Sequence, residues 1–377
     1  MGLNHPENIE LWRAWERSRH PARNAKHAAV GVLGRVRRGG RNAAAGEPAE
    51  TAGPGWVLRS SDGPRPERVL IAIDSGAPTT RASLLTVLPY LGCGVDLISP
   101  AGVEAPEIGS RDWTSREGGL DELRAGIEAD LVVSAGPGLA AADAAHEHAR
   151  ARGIPEHVVQ HGALTPFAPP LPRDVTLHAW SRADGDFWRS GRADITVVPV
   201  GSQLLWQAAH EGGAGTSATD ATDATGTADA ADAAGSDRPV FLGQLHGAEL
   251  SRRVTGGAAW GFCRAEKALY RPHPAETDVL SRTIHRAMRR TGIEFAPTDV
   301  PLARMTAPVV AVFSTGVLEA AARGVPAWVH GPSAPGWVHE FWHRYDMRPY
   351  GGEPTPAPAM PDGEPAAAIA RTIESAL

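Results

Sequence analysis

Three short stretches of the chain gather side chains suited to holding an anion and moving a proton. The first is PVVAVFSTGVLEAAARGVPAWVHG, an apolar run ending at Ser314, Thr315 and Gly316 and leading straight into a helical pattern. A strand-to-helix turn of this kind aims backbone N–H groups, two hydroxyls and the positive helix end at one point, which suits a phosphate, and Gly316 would permit close backbone approach. An ordinary Ser/Thr cap accounts for the same hydroxyls. Glu319, on the same face as Thr315, reads either as a ribose or donor ligand or as an acid favoured near a helix N-terminus.

The second stretch is Tyr270-Arg271-Pro272-His273-Pro274, in which two prolines bracket one histidine and hold it extended. Arg271 can pair with phosphate, and His273 can hydrogen-bond phosphate or protonate a leaving group; a structural histidine is the competing reading. The third is VVQHGALTPF, where His161 and Gly162 close a predicted strand. An imidazole there could act as a general base on an acceptor hydroxyl, or simply be hydrogen-bonded within its loop.

The elements that must position these residues alternate regularly. Apolar runs at 68–74, 95–100, 131–136, 157–162, 176–181 and 195–200 are separated by helical patterns, and a second series begins at 240–245 and continues through 308–316 and 326–331 to a terminal helix at 364–376. Continuous apolar runs predict strands covered on both faces, as in parallel sheets with crossover helices. The fold class is therefore α/β, with two Rossmann-like doubly wound domains facing a cleft, where ligands bind at the carboxyl ends of the strands. The expected division is a basic N-terminal extension and linker at 1–66, an N-terminal domain at 67–210, a low-complexity linker at 211–237 and a C-terminal domain at 238–377. The linker repeats Ala, Thr, Asp and Gly with almost no large apolar side chain to offset the entropy of ordering.

Composition narrows the function classes. A length of 377 residues suits two domains, and a formal net charge of -6 argues against a general nucleic-acid binder. The 42 glycines and 32 prolines exceed what packed elements use and point to loops. Cys93 and Cys263 are the only cysteines, and neither has metal-ligand neighbours, so neither a disulfide framework nor a zinc site is expected. No P-loop, GxSxG elbow, HExxH or EF-hand motif occurs, and SAGPGLAA at 134–141 is only half of a dinucleotide fingerprint. The opening MGLNHPENIELWRAWERSRH has no apolar signal core and no run of about 18 apolar residues follows, so a cytoplasmic protein is expected. Residues 13–41 collect eight arginines and Lys26 around Leu11, Trp12, Trp15, Val30, Val32 and Leu33, and read either as a surface for an anionic membrane or as a solvated extension.

The order QHG at 160–162, YRPHP at 270–274 and FSTGVLEAAARGVPAW at 313–328 resembles GT-B transferases of the capsule-polysaccharide, CDP-glycerol glycerophosphotransferase and bacterial sialyltransferase kind. The resemblance implies that His273, Ser314 and Thr315 hold the donor's nucleotide phosphates and that His161 is the base, with no bound metal and no cofactor beyond a nucleotide-activated donor. It departs from the sialyltransferases in lacking their acidic pair before glycine; Asp184-Gly185-Asp186 has the wrong order. The resulting expectation is a metal-independent transferase moving a sugar or polyol-phosphate to a hydroxyl of a cell-surface glycan or its lipid-linked precursor at the inner membrane face. Two rivals remain open: a nucleotide-sugar 2-epimerase, which needs carboxylates near the sugar, and a non-catalytic nucleotide- or glycan-binding protein.

Overall fold

The structure is a computed structural model and describes residues 2–19, 55–214, 238–245 and 249–377. The basic residues 20–41 and most of both expected linkers lie outside the described residues. The chain forms two compact units: Met1–His161 with Phe167–Val200 and Ala366–Leu377, and Gly162–Pro166 with Gly201–Pro365.

The first unit is built on an eight-stranded sheet of order β4-β1-β3-β2-β5-β6-β7-β8. Its strands are β1 (Trp56–Ser61), β2 (Arg68–Ala72), β3 (Gly94–Pro100), β4 (Thr114–Gly118), β5 (Leu131–Ser134), β6 (Glu156–Val159), β7 (Thr176–Ala179) and β8 (Thr196–Pro199). The six strands from β3 to β8 are parallel, while β1 runs antiparallel between β3 and β4. Successive side chains of a strand point to opposite faces, and here both faces are covered. Val69 and Ile71 of β2 pack with Leu84, Leu97 and Ile369. Leu70 and Ala72 pack on the other side with Leu123, Ala141 and Ala145.

Local chemistry explains the helices. In helix Ala140–Arg152, Ala141, Ala145 and Ala149 recur at every fourth position and form its buried stripe. Asp74, just past β2, accepts from the N–H groups of Ala141 (2.7 Å) and Ala142 (3.2 Å), and burial of its carboxyl raises its pKa against those two bonds. Gly153 ends the helix at φ 65°, a conformation that costs glycine little.

Several segments differ from the sequence expectation. Residues 56–61, assigned to a linker because Ala, Gly and Pro surround them, form β1, whose Val57 and Leu58 are buried. The terminal helix Pro365–Ala376, expected in the C-terminal domain, packs Ala366, Ile369, Ala370 and Ile373 into the core of the first unit. There Glu374 accepts from Gly92 N–H at 2.8 Å and pairs with Arg65. Helix Ile9–Arg19 is also docked on the first unit. Trp12 is buried and donates from Nε1 to the Phe167 carbonyl at 2.9 Å, Trp15 stacks on Phe167 at 5.2 Å, and Arg13 pairs with Asp143. Trp12 and Trp15 thus pack on the fold, while Leu11 beside them is exposed and 30–33 lie outside the described residues. No described helix is long and apolar enough to cross a membrane.

The second unit holds a four-stranded parallel sheet of order β10-β9-β11-β12. Its strands are β9 (Val240–Leu242), β10 (Leu269–Arg271), β11 (Val309–Ala311) and β12 (Ala327–Val329). Helix Gln203–Ala214 belongs to this unit and packs against helix Thr315–Ala322. It was not anticipated, nor was helix Gly336–Arg344, which buries Val338, Phe341 and Trp342.

Two measurements check this packing. Trp12→Ala should lower the stability of the full chain by ~3 kcal/mol in urea unfolding, since it removes a buried indole and its hydrogen bond; an unchanged midpoint would mean that the helix is not docked. The second concerns His157 and His178, buried side by side with His178 Nε2 3.1 Å from His157 Nδ1. Burial lowers His157 to about 4 and His178 to about 3. The unfolded chain takes up protons below about pH 6.5 that the folded pair refuses, so stability falls with pH through that range until the folded values are reached. The expected slope approaches about 1.4 kcal/mol per pH unit per histidine, and His157→Gln should flatten it; a wild-type midpoint constant between pH 7 and pH 5 would refute this.

Candidate functional site

At the carboxyl edge of the second sheet, two buried side chains hold together the segments that follow β9, β10 and β11. Gln244, two residues past β9, accepts at Oε1 from Val312 and Phe313 N–H (3.1 and 3.0 Å) and donates from Nε2 to the Phe313 carbonyl (2.8 Å). This satisfies the backbone where β11 leaves the sheet. Glu276 does the same between β9 and β10. Its fully buried carboxylate accepts from Leu245 N–H (2.8 Å) and Tyr270 Oη (2.8 Å), with His285 Nε2 at 2.7 Å. Desolvation, reinforced by Glu276, pushes the Tyr270 phenol far above its usual range, so it remains a hydrogen-bond donor. Gly243 must lack a side chain, because a Cβ there would lie 2.4 Å from Tyr270 Oη and 2.7 Å from Glu276 Oε1.

On this base stand the residues singled out by type and spacing. His273 is exposed, and its Nδ1 accepts from Ala275 N–H at 3.1 Å, while Glu276 N–H donates to the His273 carbonyl at 2.9 Å. With Nδ1 occupied as an acceptor, the neutral ring carries its proton on Nε2. Desolvation by the surrounding protein lowers its pKa, opposed by Glu276. Although the ring is exposed by area, that direction agrees with the hydrogen bond, which protonation of Nδ1 would break.

Ser314 is the N-cap of helix Thr315–Ala322, accepting from Gly316 N–H at 3.1 Å. Thr315 Oγ1 accepts from Ala163 N–H at 3.2 Å. Gly316 does allow a close approach, but of packed side chains: a Cβ would lie 2.8 Å from Leu242 Cδ1 and 2.9 Å from Leu302 Cδ2. Arg271 differs most from expectation. Its guanidinium donates to the carbonyls of Pro297 (2.7 Å) and Val300 (2.6 Å) and lies 3.2 Å from Met305 Sδ, so it ties down the loop before β11 instead of being aimed at a phosphate. Desolvation lowers its pKa, opposed by Asp299 and by Glu319. Half-buried Glu319 thus lies within electrostatic reach of Arg271.

His161 belongs to the first unit, just beyond β6. Its Nδ1 is enclosed without a hydrogen-bond partner, and burial lowers its pKa against the pull of the Ala135 carbonyl. Gln160 anchors it: Oε1 accepts from Trp180 N–H and its carbonyl from Trp180 Nε1, both at 2.9 Å. The following segment, Gly162–Pro166, is held by the second unit. Leu164 N–H donates to Tyr345 Oη at 2.7 Å, Arg344 donates to the Leu164 carbonyl, and Thr165 Oγ1 donates to Glu249 at 2.7 Å. None of Gln244, Tyr270 Oη, Glu276 or His285 was anticipated. The spacing of Tyr270 and Glu276 around the Pro-His-Pro segment was the one available signal. Among the described residues no cluster of His, Cys, Asp and Glu could hold a metal ion.

Two α/β units, each on a parallel-rich sheet, recur in solved structures. The chain matches S. aureus MnaA, in a co-structure with UDP, at a TM-score of 0.50 and 12% identity over 82% of this chain and 88% of that one. It matches Methanocaldococcus jannaschii UDP-GlcNAc 2-epimerase, in complex with UDP-GlcNAc and UDP, at a TM-score of 0.50 and 11% identity over 82% and 99%. The chain has the GT-B fold. No family model matches the sequence, and no curated protein matches it. At such identities the likeness concerns the fold, and function has to be argued from the site.

The carboxylate at the centre of this edge gives a direct check. Glu276→Ala leaves the Tyr270 hydroxyl, the Leu245 N–H and His285 without their acceptor in a dry setting, at an expected cost of ~3 kcal/mol in urea unfolding. Glu276→Gln, which keeps acceptor capacity, should cost less. Equal, negligible losses in both would show that the network does not hold the edge.

Proposed function

We propose that the chain is a GT-B enzyme that binds a nucleotide-activated sugar at the carboxyl edge of its second sheet. One observation carries the reading: His273 is clamped between two prolines, exposed, and fixed as an Nε2–H donor by the Ala275 N–H. A neutral imidazole presented in this way suits a phosphate oxygen. The hydroxyl hydrogens of Ser314 and Thr315 are further donors beside the helix N-terminus, since both oxygens are acceptors in the bonds described above. In this reading Glu319 serves the ribose or sugar, and Arg271 shapes the wall through the loop it holds.

The reaction we propose is metal-independent transfer of the sugar or polyol-phosphate to a hydroxyl of a cell-surface glycan or its precursor. In this reading His161 is the base: burial favours its neutral form, and its enclosed Nδ1 would have to be uncovered for an acceptor hydroxyl to reach it. A second reading, epimerisation of the nucleotide sugar, is favoured by the fold likeness to the M. jannaschii 2-epimerase. It would draw its proton-shuttling carboxylates from groups such as Glu319.

Thermal shifts with CMP, CDP, UDP and GDP on wild type and His273→Ala test the binding step, since a ligand of the native state raises its apparent stability. One nucleotide should shift the wild type and bind the variant roughly ten- to a hundredfold more weakly, as expected for a lost hydrogen bond to a charged group. No shift with any of the four would overturn the proposal. Product analysis then separates the reactions: an epimer formed from the sugar nucleotide alone excludes transfer as the primary activity, whereas turnover that requires an added acceptor excludes epimerisation.

A further inference from the structure

Helix Val279–Arg290 presents a face that the nucleotide-sugar reading does not use. Its sequence, VLSRTIHRAMRR, contains no acidic residue, and its buried side is defined by Ser281 and Met288. At 3.6 residues per turn, Arg282, Arg286, Arg289 and Arg290 fall together on the opposite side, with Val279 among them. All four arginines are exposed, and none forms an ion pair among the described residues. Arg289 lies 3.7 Å above the Phe295 ring, and Arg286 Nε donates to the Arg282 carbonyl.

The nearby carboxylates are committed elsewhere. Asp278, the N-cap, pairs with Arg252, and Glu276 holds Tyr270 and His285. Val279 and Leu280, in the first turn, are 68% and 53% exposed, among the largest exposures of any apolar side chain described. Beyond the helix, Thr291 lines an open cavity of about 560 Å³ whose wall carries Arg264 and Lys267, along with Glu266 and an Arg238–Glu294 pair.

We infer that this face is a docking surface for a membrane bearing anionic phospholipid. Four unpaired guanidinium groups complement a negative headgroup layer, and their aliphatic stems can lie along it. Exposed Val279 on this face, with Leu280 flanking it in the same first turn, supplies an apolar anchor of the kind that interfacial helices insert below the headgroups. A polynucleotide would match the arginines but would leave Val279 and Leu280 exposed to water, which favours the lipid surface. The inference is independent of what the second sheet binds, and it places the contact on the second unit instead of on the tryptophans of helix Ile9–Arg19.

The test is co-sedimentation of the full chain with vesicles of phosphatidylcholine alone or of phosphatidylcholine with phosphatidylglycerol. Binding is expected only to the anionic vesicles and should weaken as salt is raised. Arg282→Gln/Arg286→Gln, which leaves Arg289 on Phe295, should reduce partitioning by about tenfold or more, with an unchanged urea midpoint showing that the fold is intact. Val279→Ser/Leu280→Ser should weaken the binding that persists in high salt. A variant with Arg35, Arg37, Arg38 and Arg41 all changed to Gln should still bind. The inference is overturned if wild type ignores anionic vesicles, if the helix variants bind as wild type does, if only the N-terminal variant loses binding, or if a short RNA duplex binds more tightly than the vesicles and displaces the protein from them.

Discussion

Where a parallel sheet ends, its last backbone N–H and C=O groups lose their ladder partners just where loops must turn, and an unpaired buried group costs about as much as a lost hydrogen bond. In the second unit two side chains meet that constraint. Gln244 satisfies both Val312 and Phe313 and thereby fixes where β11 hands over to the Ser314 cap. Glu276 binds the β9 loop, the Tyr270 hydroxyl and His285 at once, and its own N–H closes the turn that presents His273. The exposed imidazole is therefore mounted on a buried carboxylate, and its position follows from polar groups that no ligand needs to touch.

The same constraint explains why residues of phosphate-binding type are spent on structure. Arg271 has donors enough for a phosphate, yet the loop 297–305 carries carbonyls with no strand to pair with, and the guanidinium satisfies two of them. Ser314 and Thr315 likewise accept N–H groups, one from the helix itself and one from Ala163. Their oxygens are thus used for structure.

The first unit shows how distant segments complete a core. Its sheet is covered by helices drawn from both ends of the chain. The terminal helix seals one face with Ile369 and Ile373, and helix Ile9–Arg19 docks Trp12 beside the Gly138 turn, where a Cβ would lie 3.2 Å from the indole. Gly138 sits at φ 104°, so both its backbone conformation and the approaching ring require glycine.

The sequence by itself determined the alternation of strands and helices, the parallel character of the second sheet and of six strands of the first, and the proline clamp on His273, and it offered the Ser314 cap as one of two readings. Each is set by neighbours within about a turn of chain: apolar runs, cap residues and proline geometry. β1 escaped notice because Ala, Gly and Pro surround six residues, and β4 because Thr114–Gly118 carries no apolar signal and is almost wholly exposed. Only the tertiary structure decided the rest. The allegiance of the terminal helix depends on contacts such as that between Arg65 and Glu374, 309 residues apart. The division of polar residues between scaffold and site depends on which carbonyls lack partners once the loops are packed, and no local pattern carries that information because the acceptors of Arg271 lie 26 and 29 residues along the chain.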